Sequence, residues 1–150
     1  MLGLVGLEPE GGFFKRTYPP PYQSPIASAI YYLLKDDDIS AMHCLNADEI
    51  YHFYDGDPLE ILCLYPDGTG AKHLLGRDLK QGMRPQILIP AHCWQGSIRL
   101  QQANSQGFSL IGTTMTPAFT WEGFELGNSE TLIQTYPEWA EDITRRLKTI

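Results

Sequence analysis

Short, largely apolar, strand-like runs dominate the chain from residue 13 to residue 126. Polar turns that contain Gly, Pro or Asp-Gly separate the runs. Many short strands at regular spacing are typical of an all-β sandwich or barrel. The pattern predicts strands at 13–18, 27–34, 39–44, 49–54, 59–65, 71–75, 86–89, 94–100 and 108–114.

The hydrophobic period changes near the C-terminus. Trp139, Ile143 and Leu147 recur every four residues behind Pro137. This spacing predicts an amphipathic helix that covers one flank of the β structure, with proline in its first turn.

Length and charge narrow the class of protein. The chain has 150 residues and a formal net charge of -7, which indicates one domain, 1–150, with a core that needs neither disulfides nor a structural metal. Nucleic acid is an unfavourable partner, because phosphate binding needs a basic surface. A small basic cluster at the end of the predicted helix is expected to complement the helix dipole; it contains Arg145, Arg146 and Lys148.

The cysteines and the first residues suggest a location. Cys44, Cys63 and Cys93 are odd in number and lack CxxC spacing, so we expect reduced thiols in a cytoplasmic protein. The apolar stretch 1–7 is short and has no basic flank or cleavage site. We therefore expect neither a signal peptide nor a membrane span there.

The densest group of chemically active side chains lies between residues 43 and 56. His43 ends one predicted strand and Glu49 begins the next, so a short hairpin can bring them face to face. Side chains alternate along a strand, so Glu49, Tyr51 and Phe53 share one face and His52 lies on the other. Because ligand cavities are common at barrel mouths, we expect a cavity that contains His43 and Glu49, with His52 outside it.

These residues resemble the first motif of the cupin superfamily, a His followed by a second His, a Glu and a Gly. His43, Glu49 and Gly56 fill three of those slots, and Leu45 stands where the second His is usual. The second cupin motif, Gly, then Pro-x-Gly, then His, is matched loosely. Its slots hold Gly82 and Pro90, then His92 in place of Gly and Gln95 in place of His.

A closer likeness is to the small cupin-five branch of that superfamily, and it covers nearly the whole chain. The resemblance implies a double-stranded β-helix, the cupin jelly-roll barrel, which is similar in architecture to the deoxysugar epimerase cupins and is usually paired as a homodimer. The matching segments are PEGGFFKRTY at 9–18, ADEIYHF at 47–53, GDPLE at 56–60, PDG at 66–68, IPAHCWQ at 89–95, PAF at 117–119 and FEL at 124–126.

Acid-base chemistry is the leading hypothesis for function. Glu49 beside Tyr51 and Phe53 would be partly desolvated, which raises the pKa of a carboxyl toward the useful range. We expect His43 and Glu49 to remove and return a proton, with Tyr51, Tyr31 or Tyr32 donating to the developing enolate. This predicts an isomerase, epimerase or lyase that acts on a small anionic or carbonyl metabolite.

Four further residues are predicted to bind that substrate. Arg16 could hold a carboxylate or phosphate, because a guanidinium forks onto such groups; a surface pair with Glu8 or Glu10 is the alternative. Tyr31 and Phe53 would form walls of the cavity, and Gln95 would orient the substrate.

Two other functions stay open. A metal-dependent cupin, an oxygenase or isomerase, would hold one divalent ion of Fe, Mn, Ni or Zn between His43, Glu49 and Gln95, with His52 and His92 as outside candidates. An amide is a weaker ligand than the imidazole it replaces. A module that only binds a small ligand is the other alternative, in which His43 and Glu49 are merely a hydrogen-bonded pair.

Overall fold

The computed structural model describes residues 2–19 and 25–148. Its strands alternate with tight turns, and helical structure is confined to short segments. The strands are β1 (Val5–Gly6), β2 (Phe13–Tyr18), β3 (Ser28–Lys35), β4 (Ile39–Leu45), β5 (Asp48–Gly56), β6 (Leu59–Leu64), β7 (Gly70–Leu75), β8 (Gln86–Ile89), β9 (Trp94–Arg99), β10 (Phe108–Thr116) and β11 (Phe124–Leu126). The α helices are α1 (Ser129–Thr135) and α2 (Ala140–Thr144), and 3₁₀ turns lie at Leu79–Gln81, Trp121–Gly123 and Pro137–Trp139.

The strands form two antiparallel sheets. One has the order β1-β2-β3-β10-β5-β8 and the other the order β11-β4-β9-β6-β7. Strands that are distant in sequence are neighbours in both sheets, as β10 is of β3 and β5. The predicted all-β cupin jelly roll is confirmed.

The main core lies between the two sheets. Inward side chains recur at every second position, so Tyr32 and Leu34 of β3 meet Ile111 of β10, and Ile61 and Cys63 of β6 face them from the other sheet. All five side chains are buried. Burial of such a face stabilises the fold by roughly 25 cal/mol for each Å² of apolar surface removed from water.

The outer face of the second sheet is covered by the C-terminal segment. Met42 and Leu62 of that sheet pack against Leu132 of α1 and Ile143 of α2. The predicted helix is shorter than expected: Pro137 begins a 3₁₀ turn, and the α-helical part spans five residues. The preceding helix α1 was not predicted.

The basic cluster near the C-terminus includes a buried arginine. The Arg146 side chain is 0% exposed, and it donates to the carbonyl of Gly96 and, at 2.6 Å, to Oε1 of Glu60. Its Nη1 also donates to the carbonyl of Asp142 in α2 at 3.0 Å, in agreement with the predicted role at the helix C-terminus. Arg146 is therefore also a buried, ion-paired anchor for the C-terminal segment, which was not predicted.

Strand direction separates two ends of the barrel. Glu49 near the start of β5 and His43 near the end of β4 lie at one end, whereas the β5–β6 turn places Asp57 at the other. The three cysteines form no disulfide. None of the helices within residues 2–19 and 25–148 is long and apolar enough to cross a membrane.

Candidate active site

A cavity of about 340 Å³ opens at the barrel end where β5 begins and β10 ends. Its volume is at the lower end of the range for small-molecule sites. Most of its walls are apolar, from residues such as Leu7, Phe14, Ile30 and Met115. The polar groups are few, which is typical of a site that orients a ligand at selected atoms; they come from Glu10, Arg16, Ser28, Tyr32, His43, Glu49, Tyr51 and Thr113.

Glu49 is the most perturbed acid that lines the cavity. Only 7% of the residue is exposed. Burial raises the pKa of its carboxyl from 4.5 to about 7, and the charge of Glu10 acts in the same direction. His43 and hydrogen bonds from Thr113 and Gln95 oppose that rise without cancelling it. Glu49 therefore exchanges a proton near neutral pH, as a general acid or base requires.

His43 is held in one tautomer. Its Nδ1 lies 2.7 Å from the carbonyl oxygen of Ala41, and a carbonyl only accepts, so Nδ1 carries the proton. The imidazole stacks on Phe124, with ring centroids 5.4 Å apart and an interplanar angle of 18°. Nε2 is therefore the nitrogen of His43 that is available to accept a proton.

Two tyrosines line the cavity. Burial raises the pKa of both phenols well above 10, and the charges of Glu49 and Glu10 add to the rise for Tyr51. Both hydroxyls thus keep their protons at neutral pH. Tyr32 donates its proton to the carbonyl of Gly11 at 2.9 Å, which leaves Tyr51 as the better donor to a ligand.

Glu10 and Thr113 are site residues that sequence reasoning missed. Glu10 lines the cavity from the turn before β2, and its carboxylate accepts a 2.7 Å hydrogen bond from Ser40. The backbone carbonyl of Glu10 also accepts from Ala41 at 2.9 Å. The Pro-Glu-Gly-Gly segment was part of the resemblance to the cupin-five branch. Because Glu10 lies in the turn before β2, strand alternation did not indicate that its side chain reaches the cavity.

Three residues predicted to touch the substrate do not line the cavity. Gln95 is buried behind Glu49, to whose Oε2 it donates a 2.9 Å hydrogen bond, so it acts on the acid instead of on a ligand. Tyr31 lies on the outer face of its sheet, edge-on to Tyr54, because β3 alternates. Phe53 shares the face of Glu49 but lies four residues farther along β5, where Arg77 covers its ring.

The two outside candidates for metal binding also lie elsewhere. His52 is on the outer face of β5, as strand alternation predicts. Its Nε2 lies 3.0 Å from Thr114 Oγ1, and Gln86 donates to Nδ1 at 3.1 Å. His92 is exposed in the turn before β9, with a left-handed φ of 66° in the position that the cupin motif gives to Gly.

The donor set at Glu49 does not fit a transition metal. His43 and Glu49 line the cavity, but the Gln95 amide is turned to the Glu49 carboxylate. Within the described part of the chain, no group of three or more His, Cys, Asp or Glu side chains could hold a metal ion. Catalytic metals in proteins usually keep three protein ligands, so the set predicted from sequence falls short.

Arg16 lies at the mouth of the cavity. It faces inward because it pairs with Ile30 across β2 and β3, and Ile30 lines the cavity. Its Nε donates to the carbonyl of Tyr18 at 3.3 Å. Phe119 and Trp121 also belong to the lining and pack against Phe124.

Comparison with known proteins gives one family. The family model Cupin_5, described as Cupin superfamily (DUF985), matches residues 2–127. The structure of protein SO0799 from Shewanella oneidensis is similar with 35% identity and a TM-score of 0.89, over 100% of this chain and 94% of that chain. "Uncharacterized protein YML079W" from Saccharomyces cerevisiae is 27% identical over 154 residues, 89% of this chain and 77% of its own length.

A more distant likeness concerns the fold alone. Oxalate decarboxylase from Bacillus subtilis is 11% identical, with a TM-score of 0.63 over 96% of this chain and 37% of its own. Enzymes thus occur among the structural neighbours. Because the family model spans most of the sequence and the barrel is the one it describes, this chain belongs to the cupin superfamily, in the Cupin_5 (DUF985) family.

Proposed function

We propose that the protein is an enzyme that transfers a proton at carbon next to a carbonyl group, as an isomerase, epimerase or lyase acting on a small metabolite. The observation that carries this proposal is the Glu49 carboxyl, which faces the cavity with a pKa of about 7. A buried carboxyl that is half ionised at neutral pH is suited to general base catalysis.

The neighbouring groups supply the other parts of the reaction. Ionised Glu49 removes the α-proton of the bound carbonyl compound, and the C–H electrons move into an enolate. The Tyr51 hydroxyl donates a hydrogen bond to the enolate oxygen, where negative charge develops. A protonated His43 Nε2, or Glu49 itself, returns a proton to carbon, and Phe124 holds the imidazole in place.

Deuterium exchange tests the reaction without knowledge of the natural substrate. Small 2-oxo acids and ketoses are incubated with the protein in D₂O, and loss of the α-proton signal is followed by NMR. We expect exchange in at least one probe, with a rate that rises as pH increases through about 7 because Glu49 ionises.

The variant Glu49→Gln should lose exchange by about 100-fold or more, the usual contribution of a general base. Glu130→Gln, at an exposed glutamate on α1, is the matched control and should exchange at the wild-type rate. Exchange that survives in Glu49→Gln would refute Glu49 as the base. Saturable binding of every probe with no exchange would favour the ligand-binding alternative.

We also propose that the protein is a homodimer and is cytoplasmic. The outer face of the sheet that contains β5 presents Tyr54 and Leu88, both about half exposed, next to Tyr31 and Ile50. Apolar area of this kind is typical of a subunit interface. Light scattering should give a molar mass of two chains for the wild-type protein and of one chain for Leu88→Glu. A wild-type mass of one chain would refute the dimer.

A further inference from the structure

We propose that the mouth of the cavity is a recognition subsite for a ring-bearing monoanion, in which Arg16 binds a carboxylate and Trp121 stacks on the ring. This inference rests on the function proposed above for the same cavity and names its substrate class. It assigns a role to two side chains that the proton-transfer chemistry does not use.

Arg16 has no carboxylate partner within 4.0 Å in the described part of the chain. Among residues 2–19 and 25–148, seven ion pairs of 4.0 Å or less are present, and Arg16 takes part in none of them. Its Nε is engaged by the carbonyl of Tyr18. A guanidinium has five N–H donors in a planar fork, so the remaining donors can bind both oxygens of a carboxylate.

Trp121 is the second unusual side chain at the mouth. It is 53% exposed although it is a large aromatic. Its position is nonetheless fixed, because it packs edge-on against Phe119 at 5.0 Å and Phe124 at 5.3 Å. An exposed indole face that is already held in place can stack on a ring with little further loss of conformational entropy.

The backbone under Trp121 is fixed as well. The 3₁₀ turn that carries it begins at Thr120, whose hydroxyl accepts from the Gly123 N–H at 3.2 Å. Gly123 lies so close to Asn46 that a Cβ at this position would overlap the amide. This part of the mouth is therefore preorganised, and the indole is held at the cavity by both packing and backbone.

The interior of the cavity limits the charge and size of the ligand. Glu10 and Glu49 line it, and a second anionic group placed near these carboxyls would be repelled. Arg16 is the one arginine or lysine in the lining, all of which lies in the described part of the chain. The volume of about 340 Å³ suits a molecule of roughly one ring with a short side chain. The ligand class is thus one ring, one carboxylate and a neutral carbonyl.

Three probes separate the parts of this ligand. Phenylpyruvate carries the ring, the carboxylate and the carbonyl; pyruvate lacks the ring, and phenylacetone lacks the carboxylate. Binding is measured by calorimetry in Glu49→Gln protein, so that turnover cannot disturb the titration. We expect phenylpyruvate to bind about tenfold or more tightly than either truncated probe, which corresponds to one good interaction for each part.

Each variant is then titrated with each probe. Arg16→Gln should weaken the binding of phenylpyruvate by about tenfold. It should leave the binding of phenylacetone unchanged, because phenylacetone has no carboxylate to bind the guanidinium. Trp121→Ala should weaken phenylpyruvate by about fivefold and leave pyruvate unchanged. Both side chains are exposed, so the variants are expected to fold. Arg145→Gln, at an exposed arginine that does not line the cavity, is the control.

The outcomes distinguish this inference from the proposed function. Equal weakening of all three probes by either variant, or no binding of phenylpyruvate at millimolar concentration, overturns the subsite. Absence of deuterium exchange in the wild-type protein, together with the expected binding pattern, refutes only the proton-transfer chemistry. The expected pattern of selective weakening supports the subsite whether or not the protein turns over any probe.

Discussion

Two buried acids lie at opposite ends of the barrel, and their surroundings differ. Asp57 accepts hydrogen bonds from the Arg99 guanidinium, the Ser105 hydroxyl and the backbone N–H groups of Gln106 and Gly107. Burial acts to raise the pKa of Asp57, but these donors outweigh it and the pKa lies below its ordinary value. Glu49 has the hydrogen bonds of Thr113 and Gln95 and a pKa of about 7.

The difference shows how to separate a structural acid from a reactive one in this fold. A carboxylate surrounded by donors is stabilised in its charged form and gains nothing by accepting a proton. A carboxyl that faces a cavity with few donors has a pKa close to neutrality, so its proton is available for chemistry. The first type is expected to contribute to stability, and the second to cost stability when it is ionised.

The largest effect is expected from removing the charge of Asp57, the acid that is surrounded by hydrogen-bond donors. Asp57→Asn would leave the Arg99 side chain, which is 6% exposed, without the carboxylate that neutralises its charge. Breaking one side of a buried ion pair costs about 3–5 kcal/mol, and urea denaturation measures the loss of unfolding free energy. Asp55→Asn, at an exposed surface pair with Arg77, is the control, and a loss below about 1 kcal/mol for Asp57→Asn would contradict a structural role.

The second effect has the opposite sign and depends on pH. The folded protein binds a proton on Glu49 more tightly than the unfolded chain does, so this group lowers the unfolding free energy as pH rises from 4.5 to about 7. Above that pH the loss is constant, at up to about 3 kcal/mol.

Glu49→Gln removes this loss. Relative to wild type, the variant should gain stability between pH 5 and pH 8, whereas Asp57→Asn should show no gain over that range. Parallel denaturation series at the two pH values measure both differences. The quantity that decides is the difference in unfolding free energy between Glu49→Gln and wild type. If this difference is the same at pH 5 and pH 8, the pKa of Glu49 is not raised.

A smaller pair of changes sharpens the contrast by moving the pKa of Glu49 in both directions. Thr113→Val removes a donor of nearly the same shape, so the pKa of Glu49 should rise further. Glu10→Gln removes a like charge, so the pKa should fall. The pH profile of deuterium exchange should shift to higher pH in the first variant and to lower pH in the second; shifts in the same direction would contradict the electrostatic account.

The smallest change concerns the stacking of Phe124 on His43. Phe124→Leu should cost about 1 kcal/mol of stability, the usual value of an aromatic pair, and lower proton return by about fivefold because the imidazole loses its support. Phe119→Leu, which removes a mouth aromatic that does not stack on the imidazole, is the matched control. An equal loss of exchange in both variants would assign Phe124 to packing alone.

Much of the barrel was predictable because its strands are short, largely apolar runs separated by Gly and Pro turns. These runs located β2 through β10 to within a few residues, and side-chain alternation along β5 placed Glu49 and Tyr51 on the cavity side with His52 outside. The shortest elements, β1 and β11, were missed since two or three residues carry no period. Helix α1 was missed because Leu132 is its one buried residue.

The remaining parts of the site depend on contacts between residues that are distant in sequence. Glu60 lies 86 residues from Arg146, so nothing local indicated that this arginine is buried. Gln95 lies 46 residues from Glu49, on β9 of the other sheet, so its amide could be assigned to the acid only once the two sheets were packed together. Strand spacing gives the face of a residue but not its position along the barrel, which is why Phe53 was placed too near the mouth.

The cavity takes its lining from segments that are distant in sequence, and this has a consequence for the order of folding. Glu10 docks on Ser40 and Ala41 of β4, and Trp121 lies more than a hundred residues farther along the chain. Such contacts of high sequence separation form late, because loop closure must precede them. The mouth is therefore incomplete until both segments have docked, and ligand binding would report that the barrel has finished folding.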